Sequence, residues 1–452
     1  MKLFKKYTEI TGKRWDQSVA RGTIIIPWHR LGGCWLVKRR YHALLHQLSL
    51  GLLITLTGCG GSPDGLLLPV DVGILPGRRI DILVATTRSS IGVTNGQMFT
   101  GERGRGLAFA DIAISIPPNG ARQIGEVQLP DTAPGNPQKH FVTLSANRID
   151  EAEALKRFHA RIATTPKRRA LVFVHGYNTS FSDAVFRFAQ IVNDTNSPMV
   201  PILFTWPSRG KLLAYTYDRE SANYSRDALE SVLQSLAKDP SVGEIAILAH
   251  SMGNWVTLEA LRQMAIRNKT LPKKMTNIML AAPDVDFDVF RLQIASIQSS
   301  SQYPPVTLFV SQDDGALALS SRIWGSTARL GSINPQAEPY KAEIERAHIN
   351  VIDLTDVKNG GSLGHGKFAE SPEIVQLIGR RLASGQVLSD DKSGFGDKVS
   401  NTVMSAAGVV GSAAGLVVSA PIAIVDRRTR DNLSDKFEEL GTNATDLGRV
   451  VK

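Results

Sequence analysis

The chain has 452 residues, enough to bury one full core and carry extensions around it. Its 52 Lys and Arg against 42 Asp and Glu give a net charge of +10, but positions 1–58 alone hold 10 basic and 2 acidic residues, so +2 remains beyond them and a nucleic-acid footprint is excluded from the bulk of the chain. Both cysteines, Cys34 and Cys59, lie near the start, which leaves residues 60–452 with neither a disulfide nor a thiolate metal site.

Residues 1–36 carry Trp15, Trp28 and Trp35 among scattered charges with no periodicity. A start assigned too early, with Val37 as the true first residue, would account for them, as would a long leader. After Val37 a basic stretch, Lys38-Arg39-Arg40, runs into the apolar residues 48–57 and then Leu56-Thr-Gly-Cys59, which resembles a bacterial lipobox. The apolar run is too short to cross a bilayer, which takes about 20 residues. We therefore expect residues 1–58 to be a leader and lipoprotein signal, Cys59 to be lipidated, and residues 59–77 to be a linker. Residue 60 is glycine and not the aspartate of an inner-membrane retention signal. The expected location is the envelope, lipid-anchored at the outer membrane and facing the periplasm.

A single folded domain is expected over residues 78–385. It opens with short β-rich pieces at 80–86, 107–116, 125–129 and 141–144, broken by Pro and Gly, which predict antiparallel strands packed onto the main sheet at its N-terminal edge. The segment Gly101-Glu-Arg-Gly-Arg-Gly106 lacks Walker spacing and reads as a plain turn. Beyond it, buried strands are predicted at 169–176, 201–206, 244–250, 276–283, 306–314 and 348–354, the first three separated by amphipathic helices at 181–193 and 223–237. Strand alternating with helix is the pattern of an α/β protein with a doubly wound, mostly parallel sheet.

The run Glu244-Ile-Ala-Ile-Leu-Ala-His-Ser-Met-Gly253 passes from strand to helix with almost no loop. Such a turn strains its central residue and exposes its side chain, which makes Ser251 the candidate nucleophile, with Ala249 where this motif commonly has glycine. Acidic and imidazole partners belong at the carboxyl ends of later strands. For the acid we favour Asp314 over Asp313, with Asp284 and Asp286 as rivals that could instead cap a helix. For the base we favour His365, in the glycine-rich Gly360-Gly-Ser-Leu-Gly-His-Gly366, over His348, His175 and His250, which read as packed histidines. The amides of Met252 and Tyr177, after His175-Gly176, are the expected oxyanion donors. The stretch from Gly361 to Lys367 has Walker-like spacing, but Phe368 stands where a magnesium-binding Ser or Thr would be. The constellation calls for no metal and no cofactor.

Residues 386–452 form a C-terminal extension with an uncharged, Ala-, Gly- and Val-rich segment at 399–425, containing Gly411 and Gly415 in G-x-x-x-G spacing. A membrane-associated hairpin, a packing helix and a transmembrane helix all fit it.

Together, Ala85-Thr-Thr-Arg88, Gly101-Glu-Arg103, His175-Gly-Tyr-Asn178, Phe204-Thr-Trp-Pro-Ser208, Ala249-His-Ser-Met-Gly253, Ala281-Ala-Pro-Asp-Val-Asp286, Ser311-Gln-Asp-Asp-Gly-Ala-Leu317 and Gly364-His-Gly366 resemble the bacterial α/β-hydrolase family catalogued as domain of unknown function nine hundred, grouped with esterases and lipases. The resemblance implies the α/β-hydrolase fold and a Ser, Asp, His order, and says nothing of substrate. The expectation is a membrane-anchored serine esterase acting on small-molecule or lipid esters, with peptidase, thioesterase and acyltransferase chemistry open to the same residues. The alternative is a non-catalytic envelope lipoprotein that uses the fold as a binding scaffold.

Overall fold

The computed structural model describes residues 63–384, apart from 95, 119, 299–302, 359, 360 and 362. Cys59, the leader and the 399–425 segment lie outside the described residues. Among the described residues no helix is long and apolar enough to cross a membrane.

Among the described residues nine strands form one sheet, in the order β3-β2-β1-β5-β4-β6-β7-β8-β9. Strands β1 (Arg78–Thr94), β2 (Gln97–Ile116) and β3 (Val142–Ile149) make up one edge. β2 runs antiparallel to both its neighbours, and β1 then pairs in parallel with β5 (Val200–Thr205). From there β4 (Arg169–Val174), β6 (Glu244–His250), β7 (Met275–Ala281), β8 (Val306–Val310) and β9 (Asn350–Asp353) continue in parallel. The first strands thus form the antiparallel edge that the sequence leads one to expect.

The central parallel strands β4 to β8 are mostly apolar because both their faces are covered. In β4, Ala170, Val172 and Val174 pack on one side with Leu229 and Leu233 of α3 (Tyr215–Lys238) and Val256 and Leu261 of α4 (Gly253–Asn268). Leu171 and Phe173 face the other side, against Phe186 and Phe188 of α2 (Phe181–Thr195) and Ile374 and Ile378 of α9 (Pro372–Ser384). Helix α1 (Glu151–Ala163) joins the first face through Phe158 and Ile162, and α5 (Phe287–Ile297) through Phe290 and Ile294. Three shorter helices are also found among the described residues: α6 (Gly315–Ile323), α7 (Tyr340–Arg346) and α8 (Lys367–Glu370).

Three sequence expectations are corrected. The segment from Gly101 to Gly106 is not a turn but lies within β2, where Arg103 pairs with Arg88. Glycine suits position 104 because a Cβ there would sit 2.7 Å from the Arg88 carbonyl oxygen. Residues 125–129 form no strand. Helix α3 starts at Tyr215, well before residue 223.

Strand order reverses around β4, since β5 lies on one side of it and β6 on the other. The crevice at the carboxyl ends of β4 and β6 is thus a topological switch point, where open α/β sheets hold their ligands.

Candidate active site

β6 ends at His250, α4 begins at Gly253, and Ser251 between them has φ = 53°. A serine in the left-handed region stores about 1–3 kcal/mol, so the surroundings must hold it there. They do so through the Ser251 amide, which donates to Ala281 O at 3.0 Å, and through Asn254 Nδ2, which donates to both Ser251 O and Ala281 O at 2.9 Å. A Cβ on Gly253 would lie 2.3 Å from the His175 carbonyl oxygen, and one on Gly176 would lie 2.7 Å from Ser251 Cβ. Only glycines at these two points let the turn after β4 rest directly against the elbow.

That turn is fixed from beneath. His175 Nδ1 donates to Gly176 O at 2.8 Å, so Nε2 is the acceptor and takes the Trp206 amide at 3.1 Å and the Thr205 hydroxyl at 2.9 Å. Burial, then the nearby Arg88 charge, push His175 down to about 3, and it stays neutral. Arg88, also buried, donates to Thr179 O at 2.8 Å, Ser208 O at 2.7 Å and Thr205 Oγ1 at 2.8 Å. Burial pushes Arg88 down to about 9. Asp218 adds a buried carboxylate that accepts from Ser208 Oγ and the Arg209 amide at 3.0 Å. Above this platform, the amides of Tyr177 and Met252 have no hydrogen-bond acceptor among the described residues.

Asp314 follows β8 and is almost wholly buried. Its Oδ1 accepts the Ala316 and Leu317 amides at 3.0 Å, capping α6, and its Oδ2 meets His365 Nδ1 at 2.7 Å. Burial alone would lower the His365 pKa, but the Asp314 carboxylate outweighs it and the net shift is upward. The histidine loop is tied down where Gly315 N donates to Leu363 O at 2.9 Å. Because Nδ1 is held by Asp314, Nε2 is the nitrogen left for other work. His250, next to Ser251, lies against His365 with ring centres 4.7 Å apart and planes tilted by 46°, and bonds through Nε2 to the His365 carbonyl at 3.2 Å. Burial holds its pKa well below the usual histidine value.

The rival residues are engaged elsewhere. Asp313 pairs with the buried Lys367 ammonium at 2.7 Å, and that ammonium also reaches Leu354 O and Thr355 O at 3.0 Å. The lysine of the Walker-like stretch is therefore committed inside the protein. Asp284 accepts from Tyr215 Oη and Ser320 Oγ at 2.5 Å and faces Arg329 at 3.3 Å. Asp286 caps α5 through the Asp288 and Val289 amides. His348 is exposed at a turn. Among the described residues no cluster of three or more His, Cys, Asp or Glu could hold a metal.

Sequence reasoning missed Arg88, Asp218 and Lys367 as supports of the site. The available signal was the charge itself, since Arg88 follows an apolar strand run and Asp218 sits on the inner side of a helix. A cavity of about 550 Å³ borders the site, with Gly176, His250 and His365 in its wall; Ser251 and Asp314 are not part of that wall.

A family model described as an alpha/beta hydrolase of unknown function (DUF900) matches residues 150–381. An uncharacterized protein of Nostoc sp., alr1448, is 25% identical over 123 residues, covering 22% of this chain and 32% of that protein, so the match spans about a third of that relative's length. Among solved structures, the thermostable carboxylesterase EstE1, cloned from a metagenomic library, matches 62% of this chain and 85% of its own at 11% identity, with a TM-score of 0.26. That likeness is too slight to transfer a mechanism or a substrate.

Proposed function

The chain belongs to this family of α/β hydrolases, and on that footing we propose that it is a serine hydrolase cleaving carboxylic esters through an acyl-enzyme on Ser251. Ser251 Oγ attacks the ester carbonyl carbon while His365 Nε2 takes its proton. The carbonyl oxygen becomes an oxyanion and accepts hydrogen bonds from the Met252 and Tyr177 amides. When it collapses, the carbon–oxygen bond to the alcohol breaks and His365 returns the proton to the leaving oxygen. Water then repeats the sequence on the acyl-enzyme, releasing the carboxylic acid and free Ser251. Asp314 holds the Nδ1–H tautomer and stabilises the imidazolium that forms.

The observation that carries this reading is the strained Ser251 at a switch-point turn, together with a His365 ring whose centre lies 4.7 Å from that of His250, the chain neighbour of Ser251, and whose Nδ1 is bonded to a buried carboxylate. The test is covalent capture by a fluorophosphonate probe, with Ser251→Ala as the blank.

We also propose that the protein works at a membrane surface, held by acyl chains on Cys59. One short chain holds a protein only marginally and several hold it stably, so a multiply acylated Cys59 would bring the site to lipids and envelope esters. Support comes from the lipobox-like Leu56-Thr-Gly-Cys59. Cys59→Ser should leave an unprocessed precursor and remove incorporated fatty-acid label. An unmodified Cys59 found inside an intact amino-terminal peptide of the wild-type protein would overturn the anchor and the location together.

A further inference from the structure

The 550 Å³ cavity beside the site lies within the usual range for small-molecule pockets. One side is formed by Gly176, where an added Cβ would lie 2.7 Å from Ser251 Cβ, and by His250 and His365. The remaining wall includes Ala184 of α2, Phe368 of α8, and Val127 and Leu129.

Its charged groups are already matched. Arg187 Nη2 pairs with Glu370 at 2.9 Å, and Arg187 Nη1 donates to Gln190 Oε1 and Gly125 O at 3.1 Å. Asp183 completes the capping box of α2 with Ser180. His175 and His250 are held neutral by burial. A charged ligand would find no counter-ion to recognise it here, whereas an apolar one would exchange water for hydrocarbon contact.

The wall with Val127 and Leu129 is a built feature. Arg122 forms an ion pair with Asp194, the Gly125 amide donates to Asp194 Oδ2 at 2.8 Å, and Gly125 O accepts from Arg187. Residues 122–129 thus hang from α2 by three links, although they form no strand. They precede the 150–381 stretch that matches the family model, so this wall is contributed by the chain's own amino-terminal part.

We propose that this cavity takes the hydrocarbon chain of a neutral ester while its carbonyl lies at Ser251, and that Val127 and Leu129 set how long that chain can be. The proposal rests on the serine-hydrolase reading. The test uses the full chain with two chromogenic or coupled ester series. In one the acyl group lengthens on a fixed alcohol, and in the other the alcohol lengthens on a fixed acetyl. For the wild type, kcat/KM should climb about fourfold per methylene in the series whose chain occupies the cavity, then level off. Leu129→Trp should flatten that climb at a shorter chain, and Val127→Trp should do so independently from a neighbouring position. A terminal carboxylate on the chain should lower the wild-type rate. Which series responds identifies the chain as acyl or alcohol, and either response supports the proposal. Profiles in both series that superimpose on the wild type for both folded variants overturn it. If the wild type takes up fluorophosphonate and neither substitution alters the profiles, only the cavity assignment is defeated. One that takes up no probe and hydrolyses no ester defeats the serine-hydrolase reading itself.

Discussion

The Asp314 carboxylate divides its oxygens between two tasks, one capping α6 and the other holding His365. In Asp314→Asn the amide oxygen can keep the cap while the NH2 group turns toward Nδ1, which forces the imidazole into the wrong tautomer. Ester hydrolysis should then fall on the order of 10⁴-fold, as the equivalent change does in a serine protease. Asp313→Asn should lower the rate far less and show chiefly as a reduced unfolding midpoint, because it deprives the buried Lys367 of its partner. The pH profile carries the same argument. His365 accepts a proton only when neutral, and its pKa is raised above 6.5. Wild-type kcat/KM should thus decline as pH falls through that raised value, and in Asp314→Asn, with the cause removed, the acid limb should move to lower pH. An unmoved limb in a variant of near-wild-type rate would take the acid role away from Asp314. The position of Asp314 was legible from its place just past an apolar run, and that of His365 from its glycine-rich loop. Lys367 and Arg88 were not, since what makes them matter is a partner distant in sequence and close in space: Asp313 for one, Thr179 and Ser208 for the other.

Among the elements, the elbow between β6 and α4 constrains the most. Gly253→Ala would drive a Cβ to 2.3 Å from the His175 carbonyl oxygen, so either α4 or the turn after β4 must give way. Overpacking of this kind typically costs about 1–3 kcal/mol. A lower unfolding midpoint should therefore accompany slower fluorophosphonate uptake; wild-type values for both would mean that the two turns are not held against each other. The elbow and strands β4 to β9 could be read from sequence because each strand is a short apolar run bounded by turn residues. The start of α3 could not. Its first turns bury Tyr215, Asp218, Ser221 and Ser225, and polar residues on the inner face erase the apolar period that marks a helix. The stretch Gly125-Glu-Val-Gln-Leu129 erred in the other direction. Its alternation imitates a strand, but Val127 and Leu129 line a cavity.

Across the whole molecule, the reversal of strand order at β4 places the His175-Gly176 turn against the Ser251 elbow, and Asp314 after β8 holds the ring of His365. The α/β class and the parallel sheet followed from alternating strand and helix patterns, but the strand order did not, because β1 joins the sheet beside β5 through pairing that no local pattern encodes. The central claim is that this arrangement makes Ser251 a nucleophile. Its most direct test is to treat the full-length protein with a fluorophosphonate at neutral pH, digest it, and locate the adduct by mass spectrometry. Stoichiometric modification of the peptide containing Ser251 is expected, with no modification in Ser251→Ala and marked slowing when His365 is replaced by Gln. A folded wild-type protein that forms no adduct, or forms it on another residue with Ser251→Ala labelled equally well, would contradict it and leave the fold serving as a binding scaffold.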